Sequence, residues 1–287
     1  MRKACCIFIV MIVGFSGQVN AEDKKCITGD CIHGEGTLLY PDGSKYVGEF
    51  KDGIPHGKGK CTTPAGVTYE GELKNGNFNG HGTMTSGNRK HTGQFKNGKP
   101  HGYGTEIFAD GSAYTGQWEN GMQNGEGTLL YPDGSKYVGE FKDGIPHGKG
   151  VFTTTNGIQY DGEFKDGAQD GQGTLTFGDR RKHVGQFKNG APHGMGTATF
   201  ANGSTYTGQW ENGRQNGQGT MKYINGGSYA GQWKDGKPHG EGDAIRSDGA
   251  RYTGQFANGM FNGQGSLTLP NGMTYVGKFK DSKYMGK

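Results

Sequence analysis

The sequence predicts an all-β fold, an elongated single-layer antiparallel meander assembled from tandem hairpins. Three observations predict it. A tyrosine-led unit recurs every 23 residues, side chains alternate with period two inside each unit, and Asn-Gly or Asp-Gly pairs punctuate the unit at fixed places. Self-similarity at a fixed period of this length is the signature of repeat architectures.

Composition points the same way. Of 287 residues 59 are glycine, and only 30% are hydrophobic, too few for one thick core. Aromatics nevertheless reach 11% and are regularly spaced, which argues against disorder. The glycines do not fall at every third position, so a collagen helix is excluded. Each segment must therefore bury a thin layer and rely on its neighbours.

The unit starts at Tyr46, Tyr69, His91, Tyr114, Tyr137, Tyr160, His183, Tyr206, Tyr229, Tyr252 and Tyr275. Its fifth position is aromatic in every unit except at Leu73, and all three tryptophans of the chain, Trp118, Trp210 and Trp233, stand in that column. Tyr46, Gly48 and Phe50 alternate with Val47 and Glu49, which predicts a strand. In the second half Gly125, Gly127, Leu129 and Tyr131 alternate with Glu126, Thr128 and Leu130, which predicts the returning strand. Asp52-Gly53 and Asn97-Gly98 predict the turns within units, and Asp42-Gly43 and Asn202-Gly203 those between units. About 21 strands follow at two per unit. One face is predicted to carry the aromatic and glycine columns, with rings lying over glycines of the neighbouring strand. The other face carries Thr, Gln, Glu and Lys.

Written out, the unit is Y-x-G-x-[FW]-x-x-G-x-x-[HND]-G-x-G, and residues 137–150 match it throughout. This resembles the MORN (membrane occupation and recognition nexus) repeat over residues 33–287, about ten full units with partial ones at the ends. The departures are local: Leu73 for an aromatic, His91 and His183 for tyrosine, and Ser282 for glycine. The resemblance implies a binding scaffold, and family usage adds membrane lipid as an alternative partner.

Ahead of the array, residues 1–21 read as a secretory signal. Arg2 and Lys3 precede an apolar run too short to span a bilayer, and Val19-Asn20-Ala21 suits signal peptidase. The expected location is secreted or periplasmic, with an uncleaved N-terminal anchor as the alternative. Residues 22–32 form a cap segment in which Cys26 and Cys31 are expected to close a small disulfide loop. Cys61 replaces the Phe152 of a duplicated segment and reads as a buried apolar residue.

Candidate site residues are few. Arg89-Lys90 and Arg180-Arg181-Lys182 are the local basic clusters, read either as an anion or lipid contact or as solvated turns copied with their block. Residues 34–59 are identical to 125–150, so a block of four units has been copied. Trp118, Trp210 and Trp233 are candidate groove aromatics for a glycan. His56, His101, His147, His193 and His239 recur two units apart, roughly 19 Å at four strand spacings, too far to share a metal ion. No nucleophile–base pair, phosphate loop or cofactor motif rises above the repeat, so no enzyme, cofactor or metal is expected. The chain carries +4, and loss of Arg2 and Lys3 leaves +2, which gives no reason to expect nucleic acid. The expected role is a non-catalytic scaffold for a protein partner in the cell envelope or outside the cell, with anionic lipid or glycan as alternatives.

Overall fold

The computed structural model describes residues 24–287, so the expected signal segment lies outside the described residues. These form 24 antiparallel strands and no helix. They fall into two compact units, one ending at His147 and the other starting at Gly148. Within each unit every strand pairs with those before and after it in sequence, giving a single-layer meander. The strands beyond the expected 21 include Lys25–Gly29, which adds to Glu35–Leu39 inside the cap, and the short final strand Lys283–Gly286.

Each repeat is a hairpin of a short strand, such as Lys45–Lys51, and a longer return, such as Ile54–Thr62. Both residues of the intervening turn have positive φ, 56° at Asp52 and 71° at Gly53. That is the type I′ geometry matching strand twist, and it explains the Asp-Gly and Asn-Gly signal. Ser282 takes the same role in the last hairpin, at φ 62°. It keeps the amide bond that the turn glycines make to the previous hairpin, here to the Phe261 carbonyl at 3.0 Å. Between hairpins, Asp42 accepts the Ser44 amide at 2.8 Å, and Asp110 and Asp133 do likewise for Ser112 and Ser135. The Ser112 hydroxyl and then its amide hold the Asp110 carboxyl below the usual carboxylate range, and the Ser135 amide and then its hydroxyl do the same for Asp133.

The glycine columns exist because the tyrosine rings lie on them. A Cβ added to Gly59 would meet the Tyr46 ring at 2.4 Å, and one on Gly48 would meet the Gly59 backbone at 2.5 Å. The Tyr46 hydroxyl reaches past the glycine and donates to the Glu49 carbonyl at 2.8 Å. Tyr69, Tyr114, Tyr137, Tyr160, Tyr206, Tyr229 and Tyr252 repeat this bond at 2.7–3.0 Å. Burial pushes these phenols up, to about 12 at Tyr160, Tyr206 and Tyr229.

Ring edges join one repeat to the next. Tyr114 meets Trp118 of its own repeat at 5.2 Å and Phe141 of the next at 4.9 Å, both nearly perpendicular. Tyr160, Tyr206, Tyr229 and Tyr252 do the same, so the aromatic columns zip together. Each edge contact contributes about 0.5–1.5 kcal/mol beyond burial. Stacking against neighbours is what a thin repeat needs to be stable.

Opposite the fourth position of the short strand the return strand bulges. Gly48 pairs with Gly59 and Phe50 with Pro55, leaving three residues, His56 to Lys58, facing Glu49 alone. The Glu49 carboxylate folds over Gly57 and accepts the Lys58 amide at 2.9 Å. Gln94, Gln117, Glu163, Gln186, Gln209, Gln232 and Gln255 cap the equivalent amides. These side chains are exposed, as outward positions of a strand predict, and they also cap the bulge.

Candidate interaction surface

The three tryptophans are core residues and not groove aromatics. Trp118, Trp210 and Trp233 are 3%, 8% and 4% exposed, and their indole N–H groups donate to the Gly104, Gly196 and Gly219 carbonyls at 3.1–3.2 Å. The expectation of a ring-lined groove failed because each indole is closed in by the tyrosine of its own repeat and by the leading ring of the one before, His91 at Trp118, His183 at Trp210 and Tyr206 at Trp233. The glycan alternative loses the residues proposed for it.

Two of the five basic candidates are already engaged. Arg89 is largely buried and its Nε donates to Glu106, a carboxylate only 1% exposed. Arg181 holds Asp179 through Nε at 2.8 and 2.9 Å and lies over the Phe177 ring at 4.4 Å. Asp179 is drawn below the usual carboxylate range by that bond to Arg181. Lys90, Arg180 and Lys182 are exposed at the turns between hairpins, with Arg180 in a left-handed turn conformation at φ 73°. The structure does not gather these five residues into one site.

Glu106 was missed at the sequence level. Its column is otherwise Cys61, Met84, Leu129, Phe152, Leu175, Ala198, Met221, Ala244 and Leu267, so an acid there was the available signal. His91 lies beside it, with Nδ1 3.4 Å from the carboxylate, outside hydrogen-bond geometry. Burial, then the nearby Arg89 charge, pushes His91 down to about 4. His183, which faces Ala198 instead, is also pushed to about 4 by burial. Both imidazoles are neutral at pH 7 and pack where tyrosine normally does, edge-on to Trp118 and Trp210 at 4.8 Å.

Cys26 and Cys31 are disulfide-bonded, and Cys61 is a buried thiol pushed up to about 12 by desolvation. The recurrent histidines from His56 to His239 are half-buried at the bulges, and no group of three potential ligands comes together among the described residues.

What the fold leaves to solvent is also columnar. The second position of the unit points outward and is aliphatic and exposed at Val47, Val138, Val184 and Val276. The first residue after the hairpin turn is exposed and apolar at Ile54, Met122, Ile145 and Met260. Beside it, across the turn, runs a lysine column at Lys51, Lys74, Lys96, Lys142, Lys165, Lys188 and Lys234, interrupted by Glu119 and Glu211. The leading-ring, glycine and fifth-position ring columns are nearly constant inside the sheet, whereas this outer face varies from repeat to repeat.

Repeated hairpins with a nearly constant core and a variable face define a tandem β-hairpin repeat protein. The chain belongs to the MORN repeat family, whose model matches eleven consecutive segments between residues 32 and 274. No curated protein sequence matches it. Solved structures with some likeness include the TCP domain of SAS-4 (dCPAP) of Drosophila melanogaster in complex with a proline-rich motif of Ana2 (dSTIL), 12% identical at TM-score 0.32 over 62% of this chain and 85% of that one. The TCP10 domain of Danio rerio CPAP in complex with a STIL peptide is 13% identical at TM-score 0.23, covering 90% and 99%. A catalytically inactive virginiamycin B lyase from Staphylococcus aureus with quinupristin is 10% identical at TM-score 0.15, covering 88% and 97%. At these scores the likeness carries no argument about fold or partner.

Proposed function

We propose that the chain is a non-catalytic scaffold that presents its repeated outer face to a protein partner, in the cell envelope or outside the cell. Membership of the MORN repeat family supports a protein- or lipid-binding role in general terms. The observation that carries the protein reading is the exposed aliphatic columns. Single exposed apolar residues are ordinary, but here they recur at two fixed positions of the unit, with Glu70, Thr92, Thr115, Asp161 and Thr207 between the valines, and that recurrence on a face the fold does not need apolar supports a docking role. Val138 and Met122 stand on neighbouring strands of the first unit, and no core contact requires either to be apolar. Threonine occupies the position of Val138 at Thr92, Thr115 and Thr207.

The lysine column favours a second reading, binding to an anionic membrane surface. Each lysine near such a surface contributes about 1 kcal/mol, and Ile54, Ile145 and Met260 beside the column would enter the interface. The intervening Glu119 and Glu211 and the turn aspartates weaken it.

A photoreactive amino acid at position 138 in the full chain, expressed in its native host, separates the two. A discrete protein adduct that is absent with the probe at Glu163 supports the scaffold. No adduct, together with salt-sensitive co-sedimentation on phosphatidylglycerol vesicles lost on Lys51→Gln/Lys74→Gln/Lys96→Gln, overturns it in favour of the membrane.

A further inference from the structure

The outer face of the first unit carries a patch of different chemistry. Five successive strands from Asn77–Ser86 to Met122–Leu130 place threonine at the same lateral position, as Thr83, Thr92, Thr105, Thr115 and Thr128. Each stands directly opposite the next in register. The hydroxyls of Thr83 and Thr92 lie 3.2 Å apart and those of Thr105 and Thr115 3.0 Å apart, so hydrogen bonds within the row orient them in advance. With strands about 4.8 Å apart, the row is a ladder of hydroxyls at that step.

Two other lanes flank the ladder. On one side stands Tyr103, 60% exposed and opposite Gln117. On the other side lie Ile107, Ala113 and Leu130, paired across their strands, with Ile107 and Leu130 exposed. The threonine lane contains no charge across these strands, and the aliphatic lane is bounded by Lys90 opposite Ile107 and Lys136 opposite Leu130.

We propose that this patch binds a neutral β-linked polysaccharide chain lying across the strands. A hexose presents C–H faces and a rim of hydroxyls. The Tyr103 ring suits the first, and groups that both donate and accept, as the threonines do, suit the second. The strand step is close to the advance per sugar of an extended β-linked chain, so successive residues meet equivalent hydroxyls. The uncharged threonine lane matches a neutral ligand and disfavours a charged one, which would lose hydration along it without gaining a partner there. This site does not depend on the protein-partner reading and uses different residues.

The second unit contains a built-in control. It keeps the hydroxyl row at Thr197, Thr207 and Thr220, with Thr197 and Thr207 3.0 Å apart. It replaces Tyr103 by Met195 and the aliphatic lane by Thr199, Thr205 and Lys222.

The test is calorimetric titration of the full chain with chitohexaose, cellohexaose and, as the acidic comparison, hexagalacturonate. At least one neutral hexamer binds, and Tyr103→Ala weakens it by about tenfold, as loss of an interface anchor does. Thr105→Val/Thr115→Val, which keeps shape and removes hydroxyls, also weakens it, whereas Met195→Ala changes nothing. Unchanged thermal melting of the variants excludes misfolding as the cause. Binding of neither neutral hexamer, binding indifferent to Tyr103→Ala, or binding of hexagalacturonate alone overturns the proposal. So does an effect of Tyr103→Ala confined to protein capture.

Discussion

The copied block appears twice, starting at Gly34 and again at Gly125, and the two copies have diverged in ways that compensate. In the first, Leu73 replaces the column aromatic, and its cross-strand partner is Phe78, stacked on Tyr69 at 3.7 Å. In the second, the same pair is Phe164 opposite Gln169, with Phe164 edge-on to Tyr160 at 5.1 Å. The ring has moved across the pair and the core keeps its aromatic volume. Likewise, Glu106 of the first copy is Ala198 in the second, and the arginine follows. Arg89 turns inward to Glu106, whereas Arg181 turns to Asp179 on its own loop. What is held constant is the filling of the layer and the pairing of charge, not the residue at any one column.

The largest test of that rule is Arg89→Ala. It leaves Glu106 buried without its cation and is expected to cost about 3–5 kcal/mol. Arg181→Ala removes an exposed pair and is expected to cost under about 1 kcal/mol. Chemical denaturation of both variants checks the contrast, and the double change Arg89→Ala/Glu106→Ala recovers most of the loss. Similar losses in the two single variants would break the comparison.

Next in size is Leu73→Phe. With Phe78 in place it overfills the layer and costs about 1–3 kcal/mol. Adding Phe78→Gln reproduces the pair of the second copy and restores thermal stability. A double variant no better than the single one would show that the copies are not interchangeable.

A smaller effect concerns His183. Its folded pKa, about 4, lies below the ordinary 6.5, so the unfolded chain binds the proton more tightly. Its contribution is complete above 6.5 and is lost as pH falls toward 4. His183→Tyr removes that loss and supplies the hydroxyl bond its neighbours make, a gain of about 1 kcal/mol at neutral pH. Denaturation at several pH values reads both. The smallest effect, about 0.5–1.5 kcal/mol, is expected for Gln186→Ala, which uncovers the Met195 amide. Amide hydrogen exchange at Met195 reports it directly.

Most of the fold was legible in the sequence because period-two alternation and positive-φ turn pairs are local signals. The MORN hallmark, the disulfide of Cys26 with Cys31 and the burial of Cys61 followed from the same reading. The misreadings came where burial depends on neighbouring repeats. Trp118 reads as an open-face ring until Tyr114 of its own repeat and His91 of the one before close on it. Glu49 and Gln94 are exposed as their outward positions predict, but their capping of the bulge is invisible in a strand pattern, although a column so nearly restricted to Glu and Gln was a usable clue. Glu106 stood out in an apolar column, and Arg89 lay 17 residues before it, but only the paired strands bring them together. The outer face gave least, since the fold constrains it least.

The central claim is that the exposed aliphatic columns recognise a protein partner and the core merely displays them. The most direct measurement is capture by the full chain carrying Val47→Thr, Val138→Thr, Val184→Thr and Val276→Thr, changes the array already tolerates at Thr92, Thr115 and Thr207. With the photoreactive residue moved to position 122, where the chain with its valines intact is expected to give the same protein adduct, unchanged melting with loss of that adduct in the quadruple variant is the predicted result. Undiminished capture by a fully folded quadruple variant would contradict the account.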